Sequence, residues 1–381
     1  MATNPPTLLL LILDLSPSTW GHRSIIRTAK DKALAAKKKS SAGPAVIDDV
    51  IESSLAFIAA FCALNRDNVV VVIGATESEV GVVYPRKGGD GSMNDVVNSR
   101  GSERVDRGLM NDYVRLGVAE LVKRAAERRE QTEKQREQSG EKIIPVEEGV
   151  AIASALSLAL CIINRFMVAS HAGVSALSDA TTTYQRRDDE GVLALMGGDT
   201  GSGSNAQEPP QRGLLTPRTL IIQSSPDRTS DYNALMNCAF AAHKQNVVID
   251  GCFIPSDRKE DPTSSPYLEQ IVHQTSGNTG NGIYLSVPKG PAQVNGALSE
   301  VLLSVFLPPI HLRKEMNLPK LNQVDFRARC FETGECIDIG KVCNQCLSIF
   351  KERPRERCWT CGAKVRLKAN GGSAKRMKVD T

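Results

Sequence analysis

The sequence predicts an α/β fold: a doubly wound, mostly parallel sheet of six strands with one antiparallel edge strand, followed by a small cysteine-rich module. Three observations predict it. Short runs rich in Val, Ile and Leu alternate with helical patterns as far as Phe306, the signature of a sheet covered by helices on both faces. Those runs are apolar on both faces, as buried parallel strands are. Six of the ten cysteines fall in the last 52 residues, which sets the end of the chain apart from its body.

Taken in chain order, Thr7 to Leu13 is the first strand. No Lys or Arg precedes it and Asp14 ends it, so it does not read as a signal peptide. Pro44 stands near the start of a helix in which Ile47, Val50, Ile51, Leu55, Ile58, Phe61 and Cys62 recur at helical spacing. Asn68 to Gly74 and Val80 to Tyr84 are strands joined by Ala75 to Glu79, long enough only for a hairpin, which makes the second of them antiparallel. Asp112 to Gln138 begins as an amphipathic helix and ends as a charged run that projects into solvent. Gly149 to Val168 is apolar nearly all round and reads as a helix wedged against the sheet. Strands at Arg218 to Ser224, Asn246 to Ile254 and Gly282 to Val287 then alternate with helices at Asp231 to Lys244, Pro266 to Thr275 and Pro291 to Phe306.

Residues 1–309 are thus expected to form the body, with structureless loops at 86–108 and 171–216 whose polar, Gly-rich composition cannot offset the entropy of ordering. Pro308-Pro309 marks the boundary before a module at 310–368, and 369–381 is a basic tail.

With 41% hydrophobic and 24% charged residues, the 381-residue chain is no disordered tail protein and has room for two folded units. Residues 311–381 carry 16 Lys and Arg against 8 Asp and Glu, a local +8, so the rest of a chain of net charge +4 carries −4. A basic end fits nucleic acid, an acidic partner or a nuclear address, and composition does not choose among them. Lys375, Arg376 and Lys378 fit a nuclear localisation string and equally a solvated charge cluster. Cys62, Cys161, Cys238 and Cys252 lie in apolar surroundings and read as small core residues of a reduced compartment. No window is apolar enough for a membrane span. The expectation is a soluble intracellular protein.

The strongest chemical signal is Cys343-Asn344-Gln345-Cys346, followed after eleven residues by Cys358-Trp359-Thr360-Cys361-Gly362. Each CxxC pair lets a tight turn aim two thiolates at one ion, and two pairs close a tetrahedron around zinc. Gly362 allows a turn conformation that other residues resist. Four protein thiolates leave no position for water, so this zinc is expected to be structural in a zinc-ribbon-like module, supplying folding energy that so few apolar residues cannot. Cys330 and Cys336 are nearby at irregular spacing, and a second metal site there stays open.

Asp14-Leu15-Ser16-Pro17-Ser18 ends the first strand and matches DxSxS. In von Willebrand A domains that motif holds Mg²⁺ at the carboxyl edge of the sheet. Such a site also needs a Thr before the central helix and an Asp after the fourth strand. Glu147-Glu148 and Ser224-Ser225 stand there instead, with Asp227 beyond Pro226. Asp14, Ser16 and Ser18 therefore read either as an Mg²⁺ site or as a vestigial strand-end turn.

Enzyme signatures are missing. There is no GxxxxGK[ST], GxSxG or HExxH, no carboxylate where phosphoryl transfer would need one at Ser16, and His22, His171, His243, His273 and His311 never stand at ligand spacing. For nucleic acid, Arg353, Arg355, Arg357, Lys364, Arg366 and Lys368 accompany Trp359. Basic residues without interleaved aromatics argue poorly for base stacking, while phosphate contact stays an alternative.

The order of elements and the terminal four-cysteine module together resemble one family, and three stretches carry the likeness: MNCAFAAHKQNVVIDGC at 236–252, LLSVFLPP at 302–309, and VDFRARCF with IGKVCNQCLSIF between 324 and 350. The chain resembles the TFIIH core subunits of the general transcription factor IIH subunit three family, called transcription factor B subunit four in fungi. The resemblance implies a von Willebrand A-like body and a four-cysteine zinc finger. It also implies a nuclear, non-enzymatic scaffold in the complex that opens promoters for RNA polymerase II and acts in nucleotide excision repair. Its foremost partner would be a sister subunit with its own von Willebrand A domain and zinc modules, while the TFIIH translocase and helicase supply the ATP chemistry. Family members commonly lack a complete Mg²⁺ site. This sequence departs from the pattern in its literal DLSPS, its expanded loops, and Lys351 where some relatives have a further cysteine. The rival readings are a DNA-binding zinc-finger protein and an Mg²⁺-dependent von Willebrand A ligand-binding protein.

Overall fold

The computed structural model describes residues 5–35, 44–85, 107–139, 149–172, 215–256, 262–276, 281–289 and 297–319, and in the C-terminal part 324, 326–333, 335–352, 354 and 356–364. The loops expected at 86–108 and 171–216 lie almost wholly outside these residues, as do Glu147-Glu148, Arg353, Arg355, Arg366, Lys368 and the basic tail.

Six strands form one sheet in the order β3-β2-β1-β4-β5-β6: β1 (Thr7–Asp14), β2 (Val69–Ala75), β3 (Val80–Tyr84), β4 (Thr216–Gln223), β5 (Val248–Phe253) and β6 (Tyr284–Ser286). All neighbours are parallel except β2 and β3, which pair antiparallel through the short hairpin, as the spacing of Ala75 to Glu79 predicts. This is the doubly wound arrangement that the sequence predicts.

Alternation along β1 decides which layer each residue meets, because successive side chains leave opposite faces of a strand. Leu9, Leu11 and Leu13 join one core, with Phe57, Ile58 and Phe61 of α2 (Ile47–Leu64), Val114 and Leu121 of α3 (Arg107–Ser139), and Phe306. Leu8, Leu10 and Ile12 join the other, with Leu156 and Ile163 of α4 (Ile152–Ala172), Ala239 of α5 (Tyr232–Lys244), and Ile271 of α6 (Pro266–Ser276). The last helix of the body, α7 (Ala297–Val301), passes into a single π-helical turn over Leu302–Phe306.

One helix escaped the sequence reading. Helix α1 (Pro17–Ala35) follows β1 directly, with Pro17 at its first turn and the Ser16 hydroxyl accepting the Thr19 N–H at 3.2 Å. Its inward positions hold Trp20 and Arg23 in place of an aliphatic stripe. The Arg23 guanidinium lies 4.9 Å from the Trp20 ring and donates to the Ile254 carbonyl at 2.7 Å, so a buried cation interrupts the pattern a periodicity search requires. Two further expectations need correction. Cys161 is exposed on α4 rather than a core residue, and α4 exposes Ser154 and Ser157 too, so it is not apolar-packed all round.

The chain divides into two compact units, Met1–Val324 and Asp325–Thr381. Residues 310–316, expected to open the second, lie with the first. The reason is Arg313, whose guanidinium grips Asp250 with two hydrogen bonds of 2.7 Å while Arg218 holds the same carboxylate at 2.8 Å. All three side chains are buried. Burial alone would raise the Asp250 carboxyl, but the two guanidinium charges outweigh it and hold it below the usual range, while burial draws Arg218 down to about 10, still protonated at neutral pH. Arg218 also donates to the Phe306 carbonyl and Arg313 to the Asn281 carbonyl at 2.5 Å, so the triad ties the segment after α7 to β4 and β5.

The second unit is small. A hairpin of β7 (Lys341–Val342) and β8 (Ile349–Phe350) and bridges at Arg329–Cys336 and Arg357–Lys364 surround a core of Cys330, Ile337, Phe350 and Cys358. Trp359 and Phe331 set their rings edge-on to Phe350, with centroids 5.3 and 6.4 Å away.

Candidate metal centre

The two CxxC turns are built alike. In the first, the Leu347 N–H donates to the Cys343 carbonyl at 3.0 Å and the Cys343 N–H to the Ser348 carbonyl at 2.9 Å. In the second, Gly362 donates to Cys358 at 2.9 Å and Cys358 to Ala363 at 2.8 Å. Each turn closes through a residue in the left-handed region, Leu347 at φ 60° and Gly362 at φ 69°. The glycine was legible in the sequence. Leu347, equally placed, carried no signal because it is not a residue type that favours positive φ.

These turns bring the sulfurs of Cys343, Cys346, Cys358 and Cys361 within 4.8 Å of one another. Cys343 and Cys361 are 3.8 Å apart and Cys346 and Cys358 3.6 Å. A disulfide needs about 2.05 Å, whereas sulfurs placed tetrahedrally about 2.3 Å from a zinc ion are about 3.8 Å apart. The four side chains therefore fit a single tetrahedral ion and could hold one. Their protons respond to the crowding. Burial opposes ionisation of Cys346, but bonds from the Ser348 hydroxyl and N–H and from neighbouring thiols outweigh it and draw the thiol down to about 6. At Cys361 the Ala363 N–H favours the thiolate, yet desolvation and the other three sulfurs push it up to about 12. A dication among them removes that conflict by neutralising the thiolates together.

Cys330 and Cys336 do not join the cluster. Cys330 is buried in the small core, where its sulfur accepts the Lys351 N–H at 3.3 Å, and the Lys351 ammonium pairs with Glu335 at 2.7 Å. Among the described residues, the four cysteines are the one group of metal-ligating side chains so arranged.

The DxSxS corner is a closed hydrogen-bond network. One Asp14 oxygen accepts the Ser16 N–H at 2.9 Å, and the other accepts those of Ser224 and Ser225 at 2.8 and 2.6 Å. Burial nevertheless pushes the carboxyl above its ordinary range. The Ser16 and Ser18 hydroxyls, which an Mg²⁺ site would direct at the ion, both donate to one oxygen of Glu77, at 2.5 and 2.6 Å. Asp227 is engaged elsewhere, accepting the Ser265 hydroxyl at 2.5 Å and the Tyr267 N–H at 3.1 Å at the start of α6. Sequence reasoning missed Glu77, because the hairpin that carries it reaches the corner only once the sheet is assembled.

Comparison with known proteins places these features in a family. The family described as "Transcription factor Tfb4" matches residues 6–362. The general transcription and DNA repair factor IIH subunit TFB4 of Arabidopsis thaliana is 28% identical over 94% of this chain and 88% of its own. Its Schizosaccharomyces pombe counterpart is 27% identical over 95% and 90%. General transcription factor IIH subunit 3 of Dictyostelium discoideum is 39% identical over a shorter stretch, 40% of this chain and 37% of that one. Among solved structures, the TFIIH p34 N-terminal domain covers 79% of this chain and 98% of its own at 17% identity and a TM-score of 0.42. Matched from its first strand to the glycine after its last cysteine, the chain belongs to the transcription factor Tfb4 family.

Proposed function

We propose that this chain is a non-enzymatic scaffold subunit of general transcription and DNA repair factor IIH. In that role it acts in the nucleus, in RNA polymerase II transcription initiation and nucleotide excision repair, by contacts with other subunits and foremost with a sister subunit that has its own von Willebrand A domain. The observation that carries the reading is the near end-to-end alignment with relatives named as subunits of that factor. The corner at Asp14 is consistent with it, since Glu77 already takes the hydroxyls that a metal-dependent ligand site would use.

In this reading the four cysteines hold one structural zinc ion. Four sulfurs on one ion leave no place for a reacting water, so the metal contributes folding energy, about 10 to 16 kcal/mol in isolated zinc modules. Cys343, Cys346, Cys358 and Cys361 are its ligands, and the two closed turns set the directions of their sulfurs.

The test is co-purification of the tagged full-length chain from cells with identification of the proteins retained. Factor IIH subunits should be recovered equally with and without Mg²⁺. Recovery that needs Mg²⁺, or a set of proteins without factor IIH subunits, rules the reading out.

A further inference from the structure

At the edge of the sheet opposite Asp14, where β1 and β4 begin, lies a cavity of about 390 Å³. Its floor is apolar, made by Phe61 and Leu64 of α2 and by Leu307 and Ile310 of the segment that the buried Arg-Asp-Arg triad ties down. Arg218, His311 and Lys314 line it together with the amides of Asn65, Asn68 and Asn281, and among the described residues no carboxylate does. Arg218 is consumed within the triad, but Lys314 and His311 are exposed, and neither has a carboxylate partner among the described residues. Among the described residues the buried side-chain oxygen of Asn281 has no hydrogen-bond donor. A buried acceptor left without a donor is unfavourable by about 1 to 3 kcal/mol.

We propose that this cavity is a docking site for an acidic peptide segment of a protein partner. A Glu side chain of the partner sets its carboxylate against Lys314 and His311, and lays its methylene stem and an adjoining apolar residue over Leu64 and Ile310. Charge complementarity selects this occupant: two unpaired donors without a carboxylate at the rim call for an anion, and the apolar floor calls for hydrocarbon beside it. Nucleic acid is the poorer fit, because Phe61 is buried and offers no face for a base to stack on, which leaves His311 as a single ring without interleaved aromatics. The site lies at the other end of β1 from the corner a von Willebrand A domain uses, and it does not depend on the zinc module.

The test is calorimetric titration of the full-length chain with the peptide acetyl-Leu-Pro-Glu-Leu-amide and with its Glu-to-Gln counterpart. The acidic peptide should bind saturably with a Kd below about 1 mM, and binding should weaken about tenfold or more with the Gln peptide and with Lys314→Glu in the chain. Leu64→Glu, at another exposed position, should weaken it similarly, and unchanged thermal midpoints will show that both variants fold. Equal binding of the two peptides, no binding by about 1 mM, indifference to both variants, or displacement of the peptide by a single-stranded oligonucleotide each overturns the proposal.

Discussion

Leu347 and Gly362 occupy the same point of the two cysteine turns, both in the left-handed region, at φ 60° and 69°. Only glycine adopts that conformation without steric penalty, and Leu347, 70% exposed, gains little from burial in exchange.

Leu347→Gly should therefore stabilise the module. Relief of about 1 to 2 kcal/mol of backbone strain, less about 0.5 to 1 kcal/mol of added chain entropy, leaves a net gain of about 0.5 to 1 kcal/mol. Gly362→Ala should act the other way by about 1 kcal/mol, from φ alone, since a Cβ there meets nothing within 4 Å. Chelator competition for bound metal, compared across the two variants, reads both effects.

Cys346→Ser should abolish stoichiometric metal and melt the second unit while the body stays folded. The body owns its two hydrophobic cores, whereas among the described residues the core of the second unit has four buried apolar residues, two of them cysteines. Elemental analysis and hydrogen exchange across the two units check this. Intact zinc in the variant, or none in the parent chain, contradicts the assignment of the ligands.

Asp250 makes the body sensitive to acid. Its folded pKa is depressed below the unfolded value of 3.8, so its stabilising contribution is complete above that value and is lost as pH falls through the lower folded one. Asp250→Asn should strand two buried guanidinium groups, lose about 3 to 5 kcal/mol, and remove this part of the acid dependence. Urea midpoints measured between neutral pH and about pH 3 for both chains provide the comparison.

Asp14 has the opposite sign. Burial raises its carboxyl, so the ionised form is the less favourable one in the fold, and this group adds stability as pH falls through its raised pKa toward 3.8. Asp14→Ala removes the acceptor of three buried N–H groups and should lose about 3 kcal/mol or more at neutral pH, with or without Mg²⁺. Thermal unfolding in both buffers is the check.

Glu77→Ala should be milder, about 1 to 2 kcal/mol, because its partner Ser18 is exposed, so water can replace the carboxylate there, and its buried partner Ser16 keeps the Ser18 and Thr19 hydroxyls. A parent chain whose thermal midpoint rises with Mg²⁺ would instead mean that the ion competes with Glu77 for the serine hydroxyls.

The strands could be read from the chain because hydrophobic burial leaves a local record: residues such as Leu8 to Leu13 are apolar on both faces only when both faces are covered. The cysteine turns were legible for a similar reason, since metal ligation within a turn fixes spacing over four residues. Helix α1 was not, because Arg23 fills a core position by bonding to Ile254, a residue 231 positions away.

What the sequence determined by itself is everything whose physical cause is short in range: strand and helix periodicity, the hairpin that reverses β3, and the two pairs of thiols. Tertiary structure alone decided that Glu77 closes the Asp14 corner, that Arg218 and Arg313 share Asp250, and that the buried Asn281 oxygen has no donor among the described residues. Those outcomes depend on desolvation and charge pairing between residues far apart in the chain. A polar side chain has the same identity whether it ends in water or in a buried pair, and only the packed sheet distinguishes the two.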